Sequence, residues 1–144
     1  YDKPFEEGEF ITLYNEDMEL VNVGKDEAIN LPDILYDLNS WQLKNKSKEE
    51  LDKLIGILKN NEALRIELSS HTDSRGGTPH NNELSSKRAR AAFEYIVNHG
   101  IDPNRIEAIG KGEDQPVNAC RDGVECTEDE HAINRRTEFR ILSN

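Results

Sequence analysis

The chain has 144 residues, enough for one domain with a core of its own and too few for two ordinary ones. A formal net charge of -11 excludes nucleic acid as a partner, because a polyanion needs a clustered basic surface. No apolar run approaches the length of a bilayer span, so direct membrane insertion by this fragment is not expected, and a start at Tyr1 reads as a processed or excised piece with upstream domains.

Residues 1–30 are acidic and weakly patterned, an N-terminal extension or hairpin ahead of a domain taken as residues 31–144. Within it FITLY (Phe10 to Tyr14) and LVNV (Leu20 to Val23) are short strands separated by Asn15, Glu16 and Asp17. ILYDL places Ile34, Tyr36 and Leu38 on one face just after Pro32, which predicts the first core strand over residues 34–38. In the polar connection that follows, Trp41 and Leu43 read as apolar anchors, with Trp41 a loop residue pinned on the core and given no site role.

Ser47 opens SKEE, a capping box with Glu50, and Leu51, Leu54, Ile55 and Leu58 recur at helical spacing up to Asn60-Asn61. LRIELSS alternates Leu64, Ile66 and Leu68 against Arg65, Glu67 and Ser69, a half-buried strand whose end delivers His71, Thr72 and Asp73 into a Gly-rich loop. Asn81 or Asn82 is the expected cap of a second helix. Glu83/Lys87 and Arg90/Glu94 pair four apart on its wet side, and it stops at Gly100. RIEAIG (Arg105 to Gly110) is a short strand. A long loop from Lys111, a brief helix around Glu128 to Ile133 and a closing strand RTEFRIL (Arg136 to Leu142) complete the chain. Strands alternating with helices imply an α/β fold with right-handed crossovers and helices packed on a mixed sheet.

Cys120 and Cys126 are the only cysteines and bracket RDGVE, where Asp122-Gly123 is a natural tight turn. The pair reads as a disulfide in an oxidising compartment, with two unpaired thiols as the alternative. A metal set of Cys120, Cys126 and His131 misses the usual ligand intervals and lacks a fourth ligand, so neither metal nor other cofactor is expected.

Counting helically from Leu84 reaches Arg88, Ala91, Ala92 and Tyr95, which puts a guanidinium on the side that should be apolar. It needs an anion, and Asp73 in the preceding loop is the nearest candidate. Across a shallow cleft the two would receive a ligand carrying both charges. The bland alternative is an internal salt bridge that pins the loop. A catalytic reading of His71 and Asp73 lacks a nucleophile with its own base, a phosphate loop or a metal set, so no enzyme is expected.

Three segments together resemble the OmpA-like carboxy-terminal domain family over roughly Leu31 to Asn144. HTDSRG is similar to Gly-His-Thr-Asp-x-x-Gly. Asn81-x-x-Leu84-Ser85-x-x-Arg88-Ala89 matches the family's helix signature. Asn134-Arg135-Arg136 leads into a terminal strand beside GKGEDQP, which resembles Gly-x-Gly-Glu-x-x-Pro. The resemblance implies a two-layer α/β sandwich, a βαβαβ core with a mixed four-stranded sheet and helices on one face. It implies non-covalent binding of the peptidoglycan peptide stem, with Asp73 and Arg88 gripping diaminopimelate. Thr72, Asn81, Leu84, Ser85 and Arg136 are further candidates, Arg136 being preferred to Arg135 by strand alternation. The implied setting is the periplasm, attached to the outer membrane through an upstream part; a periplasmic interaction scaffold that keeps the fold without wall binding is the alternative. Ser70 stands where the family commonly has Gly, and the cysteine loop is longer than in the simplest members. The CRDGVEC loop and the HAINRRTEF ending resemble a branch found in multidomain Bacteroidetes envelope proteins.

Overall fold

The computed structural model describes residues 10–24, 29–35 and 40–143. Among these described residues six strands and three α-helices follow in the order β1 (Phe10–Tyr14), β2 (Leu20–Gly24), β3 (Ile29–Leu35), α1 (Asn45–Asn60), β4 (Arg65–Ser70), α2 (Thr78–Asn98), β5 (Ile106–Gly110), α3 (Glu128–Asn134) and β6 (Arg136–Ser143). Strands β1 and β2 form an antiparallel hairpin, and the other four form one sheet in the order β3-β6-β4-β5. Strand β6 runs antiparallel to both β3 and β4, and β4 runs parallel to β5. The two parallel crossovers, β3-α1-β4 and β4-α2-β5, therefore carry the two long helices.

Alternation along β4 and β6 sorts the sheet into two chemically distinct faces. Ile66 pairs with Ile141 and Leu68 with Phe139, and these side chains join Leu51, Leu54, Ile55 and Leu58 of α1 and Ala92 and Ile96 of α2 in one core. The helices thus cover one face, as the pattern predicts. The opposite face carries charge: Glu67 meets Arg140 at 3.3 Å and Lys111 at 3.5 Å. Burying each leucine of α1 contributes about 1.5–3 kcal/mol, which explains why packing rather than capping fixes this helix.

Three boundaries differ from the sequence expectation. The first core strand is Ile29–Leu35 rather than residues 34–38, with Pro32 inside it. Proline lacks the N–H that a central strand must donate, but β3 lies at the sheet edge and its register against β6 shifts between Asn30 and Leu35. Tyr36 and Leu38 lie outside the described residues. Helix α1 starts two residues before Ser47, with Lys44 as N-cap and no side-chain cap; Ser47 is buried in the first turn. Helix α2 starts at Thr78 with Gly77 as N-cap and Pro79 in the first turn, so neither Asn81 nor Asn82 caps it.

The end of α1 ties the hairpin down. Asn61 accepts from the Tyr14 N–H at 3.0 Å and donates to its carbonyl at 2.6 Å, imitating a strand partner, while Asn60 donates to the Asn15 carbonyl at 2.8 Å. Among the described residues no helix is long and apolar enough to cross a membrane.

Candidate functional site

The site forms where β4 runs out. The chain beyond Ser70 stays anchored to both neighbours: His71 donates its N–H to the Arg136 carbonyl at 2.8 Å, and Thr72 donates to Gly112 at 2.9 Å. Gly76 and Gly77 then turn the loop into α2 with φ of 99° and 83°, a region that costs a side chain about 1 kcal/mol or more. Gly110 lets β5 approach that helix closely, since a Cβ there would stand 2.3 Å from the Ser86 nitrogen.

Asp73 is buried at the loop's inner wall. Its Oδ1 accepts from the Arg75 backbone N–H at 3.0 Å and from Arg75 Nε at 3.3 Å; its Oδ2 accepts from Arg75 at 2.8 Å and from Arg135 at 2.9 Å. Burial alone pushes the carboxyl up, but the hydrogen bonds from Arg75 and Arg135 outweigh it and hold Asp73 below the usual carboxylate range. Both guanidiniums also contact Glu128 at the start of α3. A chain of alternating charges, Asp73, Arg75, Glu128 and Arg135, closes one side of the cleft.

Arg88 forms the other side. It is fully buried on α2 in line with Leu84 and Ala92, as helical counting places it. Its Nε donates to the Ser40 carbonyl at 2.8 Å and its Nη1 to the His71 carbonyl at 3.1 Å, so the fork is oriented by backbone acceptors on two loops. Asp73 and Arg88 line one cleft with Thr72, Arg75, Asn81, Leu84 and Arg135, drawn so tight in this conformation that it does not admit a water molecule. The Thr72 hydroxyl, buried in that wall, has no hydrogen-bond partner among the described residues. A buried hydroxyl without a partner costs about 1–3 kcal/mol, which a polar ligand atom would relieve.

The remaining predicted residues divide. Asn81 lines the cleft and donates to the Asp73 carbonyl and to Glu113, both at 3.2 Å, bracing the loop rather than capping the helix. Ser85 is turned away from it: its hydroxyl accepts from the Gly112 N–H at 2.8 Å and donates to the Asn82 carbonyl at 3.0 Å. Arg136 also points elsewhere, to Glu138 at 3.0 Å and to the Gln115 carbonyl at 2.9 Å. Arg135 takes the place expected of Arg136 because it is the C-cap of α3 and precedes the strand, so strand alternation does not govern it.

Behind the cleft, on the charged face, buried His71 puts Nε2 3.0 Å from Glu138, an approach set by distance rather than hydrogen-bond alignment. Burial lowers the imidazole's proton affinity despite that carboxylate. Cys120 and Cys126 are joined in a disulfide with a Cα–Cα distance of 6.0 Å. Their loop is pinned by Asn134, which accepts from the Val117 N–H at 2.8 Å and donates to Asn118 at 2.9 Å. Glu130 comes near both sulfurs, but they are bonded to each other and Glu130 completes the capping box of α3 with Thr127.

Trp41 departs from its expected place. It is 43% exposed rather than pinned on the core, with the Lys87 ammonium 4.5 Å above its ring. Its neighbour Ser40 supplies the carbonyl that holds Arg88, so backbone rather than indole anchors this loop.

Outer membrane porin F of Pseudomonas fluorescens is 33% identical over 109 residues, covering 76% of this chain and 32% of that protein. The peptidoglycan-associated lipoprotein of Rhizobium meliloti is 30% identical over 103 residues, 71% of this chain and 58% of that one. The chain spans about a third of the porin and under two thirds of the lipoprotein. The crystal structure of the peptidoglycan-associated lipoprotein from Burkholderia pseudomallei superposes with a TM-score of 0.67 at 25% identity, covering 74% of this chain and 86% of that one. The cell wall anchor of the T6SS from Pseudomonas aeruginosa shares the fold, with a TM-score of 0.63 at 21% identity over 81% of this chain and 80% of that one. The OmpA family model matches residues 35–129, well over half of the sequence, and the chain belongs to that family.

Proposed function

We propose that this chain binds the peptide stem of peptidoglycan without a covalent bond and so anchors an outer-membrane or envelope protein to the wall. The diaminopimelate head, an ammonium and a carboxylate on one carbon, is the ligand. Asp73 accepts from the ammonium and the Arg88 fork donates to the carboxylate, a planar geometry that lysine does not reproduce. One observation carries this reading: opposite charges on β4's loop and on α2 line the same cleft, beside a buried threonine hydroxyl that lacks a partner among the described residues. The names of the lipoprotein and of the secretion-system anchor lend it support. The disulfide agrees with a periplasmic setting, and residues upstream of this stretch would supply the link to the outer membrane.

A scaffold that keeps the fold without wall binding is the second reading, favoured by the Arg75 and Arg135 contacts that occupy both oxygens of Asp73. Sedimentation with purified sacculi separates the two. Wild type is expected in the pellet, Asp73→Asn and Arg88→Ala in the supernatant with unchanged circular dichroism, and Arg88→Lys nearly as weak as the alanine variant. A double variant that still sediments removes the cleft as receptor.

A further inference from the structure

Next to the cleft, on the outer side of α2, Trp41, His80, Glu83, Leu84 and Lys87 enclose a groove of about 220 Å³. Leu84 is a wall of both spaces. The two are also joined through backbone, because the residue before Trp41 holds Arg88. We propose that this groove is a second subsite that takes the acidic peptide flanking the diamino acid, with Lys87 receiving its carboxylate and Trp41 packing its apolar carbons. The inference rests on the reading of the cleft given above.

The chemistry of the groove selects this occupant. A head group seated between Asp73 and Arg88 leaves the rest of the stem outside, and that remainder consists of short residues with free carboxylates and methyl or methylene groups. Lys87 is part of the groove's wall, fixed over the indole at 4.5 Å and bound to Glu83 at 3.3 Å. Both members of that ion pair are solvent-exposed, and such pairs contribute little, so a ligand carboxylate can compete for the ammonium at small cost. The indole presents a large rigid apolar surface with few torsions to freeze, the property that makes tryptophan effective at recognition sites. Trp41 is 43% exposed beside a charged cleft and is not among the described residues of the core.

Trp41 is the chain's single tryptophan, so its emission reports on this groove alone. Three probes are titrated against the whole chain: free meso-diaminopimelate, the synthetic tripeptide alanyl-γ-glutamyl-diaminopimelate, and the same tripeptide on its disaccharide. Calorimetry runs in parallel on wild type and on Lys87→Gln. The expected result is that both small probes bind, only the peptide-bearing ones move the emission, and Lys87→Gln weakens the tripeptide by about threefold to fivefold while leaving free diaminopimelate unchanged. Tripeptide binding with silent emission and no effect of Lys87→Gln overturns the subsite and leaves the cleft standing. Equal emission changes from both small probes, or a change that needs the disaccharide, overturns it too. Failure of every probe to bind wild type removes the cleft reading and the subsite together.

Discussion

Arg75 reaches back two residues to hold Asp73 through its backbone and its guanidinium, yet its side chain is 36% exposed. A ligand ammonium would want the same carboxylate oxygens, so Arg75 acts as an internal competitor that has to swing aside. Arg135 is different: it is buried and braced by Glu128, and its hydrogen bond to Asp73 also favours the ionised carboxylate. Arg75→Ala is therefore expected to tighten diaminopimelate binding by up to about fivefold, the equivalent of an exposed ion pair of roughly 1 kcal/mol. Isothermal titration measures it, and a weaker variant would mean that Arg75 belongs to the receptor. The sequence does not single out Arg75, and strand alternation ranks Arg135 behind Arg136. Arg88 was legible because its place follows from helical periodicity alone, whereas the contact of Arg135 depends on where a seven-residue helix ends.

Helix ends show the same contrast between local chemistry and packing. Two Ser/Thr-x-x-Glu motifs occur, at Ser47 and at Thr127, and only the second forms a capping box. Helix α3 is short and starts in a loop, so its cap decides where it begins. In α1, four apolar side chains bury the helix on the sheet and the extra turn-fraction before Ser47 follows from that docking. The other end of α1 depends on a residue far along the chain. Arg105 donates to the Leu58 and Asn61 carbonyls, both at 2.7 Å, and to the Leu64 carbonyl at 3.0 Å, satisfying acceptors that the helix leaves open. No motif announces this, because the partners lie more than forty residues apart. Arg105→Ala is expected to lower unfolding stability by about 1–3 kcal/mol in urea titrations, since three part-buried carbonyls lose a charged donor. A loss well under about 0.5 kcal/mol would show that water replaces it. Strand periods, by contrast, were readable for β4 and β6 in the side chains that face the core, but β4 is buried on both faces rather than half-buried, since Glu67 and Ser69 are covered as well.

At the scale of the whole molecule two electrostatic effects oppose each other as pH falls. The net charge of -11 makes the chain repel itself, and protonation relieves that strain. At physiological ionic strength the Debye length is about 8 Å, so most of this surface repulsion is already screened. The buried groups are screened far less. His71 lies among Glu138, Arg136 and Lys111, and burial lowers its pKa from 6.5 although Glu138 opposes the change. An imidazole whose folded pKa lies below its unfolded value takes its proton first in the unfolded chain. Stability is then full above pH 6.5 and declines as pH drops from there toward the folded pKa. Asp73, lowered from 3.8, and Glu138, lowered from 4.5, act in the same direction further into acid: each stabilises the fold above its unfolded value and loses that contribution as pH falls through the folded one. Only the histidine titrates between pH 7.5 and 5.5 among these three, and a tenfold difference in proton affinity between the folded and unfolded chain corresponds to about 1.4 kcal/mol. The urea midpoint of wild type is expected to fall across that interval, with His71→Gln showing a flatter profile at matched ionic strength. Parallel profiles for the two proteins would assign the slope to surface charge and clear His71 of any part in it.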